Sequence, residues 1–149
     1  MLTRKGKYGL KALVHLSRLP GGQMAFVGEI AAANRIPKKF LDAILGELRN
    51  AGFVQSRKGK DGGYRLARPA SDIKIGHVVR VLDGPLAPIP CASRTRYERC
   101  EDCDEATCQV RHMMLDVRQA IAGILDNRSL AQMRDAANDD VAGALQAQA

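Results

Sequence analysis

The segment from Val27 to Gly52 limits the possible folds more than any other part of this chain. Val27 to Ala33 reads as a short helix that Asn34 can close in a left-handed conformation, and Pro37 suits the first turn of a second helix. Phe40, Leu41, Ile44, Leu45 and Leu48 give that second helix one apolar face, and Gly52 stops it. A short helix, a tight turn and a second helix with an apolar face form the helix-turn-helix pattern, whose second helix normally enters the DNA major groove.

The flanking segments extend this pattern. Thr3 can cap a first helix running to about Leu19, with Tyr8, Ala12, Leu16 and Leu19 at helical spacing before Pro20-Gly21-Gly22 ends it. Beyond Gly52, Phe53 to Ser56 and Tyr64 to Leu66 read as two strands joined by a glycine-containing turn over Arg57 to Gly63. The tip RKGKDGG cannot pack as an apolar element, so the hairpin reads as a wing with Arg57, Lys58 and Lys60 projecting toward phosphates or a minor groove. Ser71 or Asp72 starts a short helix carrying Val78, Val79, Val81 and Leu82 and ending near Gly84.

Pro85, Pro88 and Pro90 exclude regular structure up to the cysteines, and a long helix begins at Cys108. In it Val110, Met114, Val117, Ile121 and Ile124 form a heptad-like seam, broadened by Leu125, that suits a dimer interface or, alternatively, a core stripe. Asn127 ends this helix, Ser129 caps a short one, and the Ala- and Gln-rich tail after about Val141 is expected to fray. The chain thus divides into a winged helix-turn-helix over residues 1–84 and a proline- and cysteine-rich loop over 85–108. A dimerisation helix with a C-terminal helix follows over 109–140, and a flexible tail over 141–149. The expected fold is mainly α with one small β-hairpin.

Charge is unevenly spread. Met1 to Arg68 holds 14 basic and 4 acidic residues, whereas the remaining 81 hold 9 and 12, within an overall formal charge of +7. Such a cationic front half suits a polyanion, nucleic acid first, although a merely lysine-rich soluble surface accounts for charge alone equally well. The apolar runs are far shorter than the roughly 20 residues a membrane helix needs, and no signal peptide is evident, so a cytoplasmic protein with no membrane partner is expected. No Ser-His-Asp spacing, phosphate-cradling glycine loop or paired-carboxylate site stands out, and no enzyme is expected.

All four cysteines lie between Cys91 and Cys108. In a reducing compartment thiols so clustered read as metal ligands or redox groups rather than structural disulfides. Four thiolates including a C-x2-C pair suit an iron–sulfur cluster or a tetrahedral zinc. Paired thiols beside Arg94, Arg96 and Arg99 suit a metal-free redox switch.

The run LTRKGKYGLKAL, the helix-turn-helix from Val27 to Ala51, the wing KGKDGGYRLARP, the segment IKIGHVVRVLDGP and the helix ending ILDNRSL together resemble the IscR, NsrR and CymR family of bacterial transcription regulators. The resemblance spans about Met1 to Met133. It implies a homodimer of winged-helix subunits, most often a repressor, that sets two recognition helices into a partly palindromic double-stranded DNA operator. Pro37, Lys38, Lys39 and Asp42 then stand in the first turns of the recognition helix, with Lys38 and Lys39 able to meet phosphate or guanine edges. Asp42 can accept from a cytosine amino group or simply complement the helix N-terminus. Lys5 and Tyr8 of the first helix and Tyr64 of the wing complete the DNA-facing set that the resemblance implies.

Many members of that family hold an iron–sulfur cluster by three cysteines and one other residue, which implies Cys91, Cys100, Cys103 and Cys108 as candidate metal ligands here. The resemblance favours a 2Fe-2S over a 4Fe-4S cluster, with zinc as the alternative. The spacing departs from the family pattern, with intervals of eight, two and four residues where relatives commonly have five. Cys91 and Cys108 match the outer positions, and either Cys100 or Cys103 matches the middle one. The histidine that follows the last cysteine by three residues in IscR-like members is replaced by Arg111. His112 is one residue later, rotated by about 100° on a helix, and reads either as a fourth ligand or as a partly buried helix histidine. NsrR-like members use a carboxylate from the partner's first helix, and no Asp or Glu precedes Pro20. His15 reads as a core or interface histidine, and His77 has no evident partner.

Overall fold

The structure, a computed structural model, describes residues 2–147. Helix α1 (Arg4–Ser17) starts where Thr3 can satisfy the free amides of its first turn, the Thr3 hydroxyl accepting from the Gly6 N–H at 3.3 Å. Helices α2 (Val27–Asn34) and α3 (Lys38–Asn50) follow. The turn between them closes differently from the expectation: Arg35, not Asn34, takes the left-handed conformation with φ 54°. Asn34 stays helical because its side-chain amide donates to the Ile30 carbonyl at 2.8 Å and contacts His15 Nδ1 at 3.2 Å. His15 is therefore a polar tie between α1 and α2. Lys11 also joins the two helices, donating to the Asn34 carbonyl at 2.7 Å.

Strands β1 (Val54–Arg57) and β2 (Gly63–Leu66) pair antiparallel from Val54 opposite Leu66 to Arg57 opposite Gly63. Ala25 adds a third edge to Tyr64, with N–H to carbonyl bonds of 3.0 and 2.7 Å running both ways. This close approach fixes Gly63, whose φ is 120° and whose missing Cβ would fall on the Ala25 carbonyl. A 3₁₀ turn at Ala70–Asp72 precedes α4 (Ile75–Asp83), so the helix starts later than Ser71 or Asp72. Asp83 at its end accepts from the Thr3 N–H at 2.9 Å and from the Thr3 hydroxyl, clamping α4 to the start of α1.

One core joins these elements. Leu13 of α1, Leu41, Ile44, Leu45 and Leu48 of α3, and Val78 of α4 have no exposed surface, so the apolar spacing read from the sequence is the packing face. The stretch after Gly84 is irregular except for a 3₁₀ turn at Pro90–Ala92. Helix α5 (Gln109–Leu125) then starts on Cys108. Its expected seam divides into two faces: Ile121, Ala122 and Leu125 pack on the core, while Val110, Met113, Val117 and Ile124 face solvent. Met113, rather than Met114, joins the exposed stripe.

Helix α6 (Leu130–Ala147) is longer than the short helix expected after Ser129 and continues through 141–147, the stretch expected to fray; residues 148 and 149 lie outside the described residues. Ser129 and Gln132 cap its start reciprocally, at 2.9 and 3.1 Å. Leu130 is fully buried in the front core, and its N–H donates to the Ile73 carbonyl at 2.8 Å. Arg134 donates to the Ser17 carbonyl at 3.2 Å, satisfying the end of α1. Among the described residues no helix is long and apolar enough to cross a membrane.

Candidate nucleic-acid interface and cysteine loop

The first turn of α3 holds Lys38 and Lys39, and both are exposed, as are Pro37 and Asp42. No side chain caps α3 and no carboxylate lies in its first turn, so the positive helix end and two lysines face solvent together. Four leucine and isoleucine side chains on the opposite face hold the helix in the core. Its outer surface is thereby presented on a rigid support.

The other expected contacts occupy three different settings. Arg57, Lys58 and Lys60 are exposed at the hairpin tip. Lys5 forms a 2.7 Å ion pair with Glu47, and Tyr8 packs edge-on against Phe40 with ring centroids 5.6 Å apart, so both brace α1 against α3. Tyr64 is half-buried at the base of the wing, where its backbone pairs with Ala25. Two further arginines belong to this surface, and the motifs of the sequence did not point to them. Exposed Arg49 reaches Ser56 at 3.5 Å, linking the end of α3 to β1, and exposed Arg65 donates to Gln55 at 3.2 Å across the hairpin. In β2 Arg65 is the exposed residue between half-buried Tyr64 and Leu66, and that period of two is the signal that could have found it.

The cysteine loop is organised by Arg111 and Glu105. Arg111 Nε donates to the Cys91 carbonyl at 3.1 Å, and the Arg111 N–H donates to Cys108 Sγ at 3.4 Å. Glu105 lies 3.9 Å from Arg111 Nε, accepts from the Cys100 N–H at 3.0 Å and accepts from the Tyr97 hydroxyl. The Tyr97 bond, more than any other interaction, holds the Glu105 carboxyl below its ordinary range, and it raises Tyr97 in return. Arg111, noted in the sequence only as a missing histidine, thus links the first and last cysteines.

Cys91 is buried, and the other three cysteines are half-buried. Cys103 lies within the influence of both Cys100 and Cys108. Bonding to Cys100, then burial and Cys108, pushes Cys103 up to about 12. The Arg111 N–H at the helix start, followed by Cys103, lowers Cys108. His112 is exposed rather than partly buried, and its Nε2 lies 3.1 Å from the Ala106 carbonyl. Among the described residues no three His, Cys, Asp or Glu side chains are arranged as a closed metal site. The donor set is nevertheless rich in soft sulfur, as a thiolate-bound metal requires.

A helix-turn-helix with a cationic second helix, flanked by a basic two-stranded hairpin, defines a winged-helix DNA-binding transcription regulator. Residues 2–136 match the family described as Rrf2, iron-dependent transcriptional regulator, and the chain belongs to this Rrf2 family. It is 42% identical over 142 residues to an rrf2-like helix-turn-helix transcriptional regulator of Rhodobacter capsulatus, covering 93% of this chain and 95% of that one. An uncharacterized Sinorhizobium fredii protein, y4iC, is 46% identical over 122 residues, which are 78% of this chain and about half (51%) of that protein.

Among solved structures, CymR, the global cysteine regulator of B. subtilis, superposes with a TM-score of 0.75 at 30% identity, covering 91% of this chain and 96% of that one. IscR of T. potens superposes at 0.72 with 29% identity, covering 92% and 88%.

Proposed function

We propose that this chain is a homodimeric repressor whose operator affinity is set by the state of its four-cysteine loop, with a 2Fe-2S cluster held by Cys91, Cys100, Cys103 and Cys108. The observation that carries the reading is that all four cysteines lie in the one loop leading into α5, whose first and last members, Cys91 and Cys108, are both bonded to Arg111. Its iron-dependent family description supports iron over zinc. Such a cluster, when bound, supplies one-electron chemistry and sensitivity to oxidants.

The chain's own residues connect that loop to DNA. Glu105 orients the Cys100 backbone and Arg111 holds the Cys91 carbonyl, so a change at the sulfurs acts directly on the start of α5. The exposed stripe of Val110, Met113, Val117 and Ile124 on α5 suits pairing with the same stripe of a second copy. Half-site spacing on a duplex is fixed, so a small shift between subunits displaces one recognition helix from its groove. Lys38, Lys39, Arg57, Lys58 and Lys60 bind phosphates or base edges, Asp42 limits the sequences accepted, and Pro37, Lys5, Tyr8 and Tyr64 set the pose of those groups. This reading places the protein in the cytoplasm, at the nucleoid.

Anaerobic purification followed by a visible spectrum and iron, sulfide and zinc analysis tests the proposal, together with binding to the protein's own upstream DNA. Iron and sulfide in equal amounts are expected, lost in Cys91→Ser and Cys108→Ser with a matching change in DNA affinity. Stoichiometric zinc, or equal affinity for all forms, overturns it. The Arg111 N–H that bonds Cys108 Sγ at 3.4 Å and lowers its thiol favours one second reading, a metal-free thiol switch. An oxidized form of Staphylococcus aureus CymR is among the structural relatives, with a TM-score of 0.71 and 29% identity. That reading predicts colourless protein whose DNA affinity follows thiol oxidation.

A further inference from the structure

A cleft of about 340 Å³ lies away from the recognition helix and wing, where α4, the proline-rich part of the 85–108 loop and α5 meet. Its charged lining consists of three arginines, Arg80, Arg94 and Arg118, and one carboxylate, Asp126. Both oxygens of Asp126 are taken by Arg80, at 2.6 and 2.9 Å. Arg94 and Arg118 are left to share one neutral acceptor, Gln119 Oε1, at 3.4 and 3.1 Å.

Arg118 is 9% exposed and is the only buried residue of α5, yet no carboxylate faces it. Its Nε is the one buried side-chain nitrogen or oxygen among the described residues without a hydrogen-bond partner. Burial, and then the neighbouring charges of Arg94 and Arg80, push its pKa down, although an arginine remains protonated at neutral pH. Proteins rarely bury a guanidinium without a counter-charge, because the charge is then neither solvated nor paired.

We propose that this cleft binds a small organic anion whose carboxylate or phosphate group completes the hydrogen bonding of Arg118 and Arg94. A planar guanidinium with a free Nε–H suits two-point recognition of either group. Pro85, Leu86 and Ala122 supply an apolar wall for a short carbon skeleton, and Ser93 and Thr95 supply hydroxyls. The volume is at the small end of ligand pockets, which fits an amino-acid-sized or dicarboxylate-sized molecule. An occupant touches α4 of the DNA-binding part, the loop next to Cys91, and α5 together. It therefore favours whichever relative placement of those three closes the cleft. The site needs neither a cluster nor DNA, so it stands or falls separately from the cysteine reading.

Thermal unfolding of the full chain at constant ionic strength tests the proposal, with chloride exchanged for succinate in one series and for inorganic phosphate in another. Wild type should show a saturable rise in Tm with at least one of them, and the pair of series separates a carboxylate ligand from a phosphate one. Arg118→Met should melt higher than wild type in chloride and lose the response, because a buried unpaired charge has been removed. Arg94→Gln, at an exposed position that tolerates change, should raise the half-saturating concentration about tenfold. Amide NMR shifts on titration should concentrate at residues 93–95 and 118–127. A rise identical in all three proteins, or none with either anion, overturns the site. Dissociation of Arg118→Met oligomers in sedimentation, with wild type indifferent to both anions, also overturns it and assigns the missing carboxylate to a second copy of the chain.

Discussion

The front half and the cysteine loop are held together by different kinds of interaction. In the front half, α1, α3 and α4 bury leucine, isoleucine and valine side chains completely, and one α3 surface remains exposed for DNA. From Gly84 to Cys108 only Leu86, Cys91 and Ala92 are buried apolar residues, and the backbone is fixed by directional bonds from Arg111, Glu105 and Ser93. Apolar burial is non-directional and collective, whereas a loop held by a few hydrogen bonds changes shape when one donor or acceptor changes. The molecule thus joins a stiff helix-turn-helix platform to a segment whose few directional bonds can rearrange without unfolding it.

The largest effect should come from attacking the platform. Leu45→Ala removes a fully buried side chain from the recognition helix and should cost about 2–5 kcal/mol in urea unfolding, a large part of a small domain's stability. Gly63→Ala should cost roughly 1–3 kcal/mol, since its φ of 120° and the Ala25 carbonyl leave no room for a side chain. Wing-dependent DNA binding should fall with it, and an unchanged melt would show that the wing base is looser than the core.

Arg111→Ala sharpens the contrast. Losing the bond to the Cys91 carbonyl should open the loop by about one order of magnitude, read as faster alkylation of Cys91 in metal-free protein, while global stability falls by under about 2 kcal/mol. Lys38→Ala with Lys39→Ala should leave stability within about 0.5 kcal/mol of wild type. The same pair should lower the salt dependence of DNA binding by about one unit of slope for each phosphate that is no longer neutralised. The smallest effect concerns pH. Arg80 holds the Asp126 carboxyl below its ordinary value, so the pair's contribution is present in full above about pH 4 and is lost as pH falls through the lowered value. The pair is about one-third exposed, so the loss should be under about 1 kcal/mol, and Asp126→Asn should flatten that part of the acid melt.

Periodicity made the helices legible because each buries a regular face: Leu41, Ile44, Leu45 and Leu48 announce both the helix and its inward side. The glycines around the wing announced a turn because their backbone angles exclude other residues. Spacing along one helix does not say what lies opposite it, and for that reason the α5 seam read as one stripe divides between core and solvent. The closing residue between α2 and α3 shifted from Asn34 to Arg35 because His15 and Ile30, distant or adjacent in sequence, both engage the Asn34 side chain.

The sequence by itself determined the winged helix-turn-helix, the cationic front half and the clustering of four sulfur donors, since all three depend on residue type and on neighbours a few positions apart. Tertiary structure alone decided that Lys5 is paired with Glu47, that α6 returns to the front core through Leu130, and that Arg111 ties Cys91 to Cys108. It alone left Arg118 buried without a counter-charge. Each of these depends on which distant side chains meet, and the free energy of a charge or hydrogen bond is set by those neighbours and their burial, not by position along the chain.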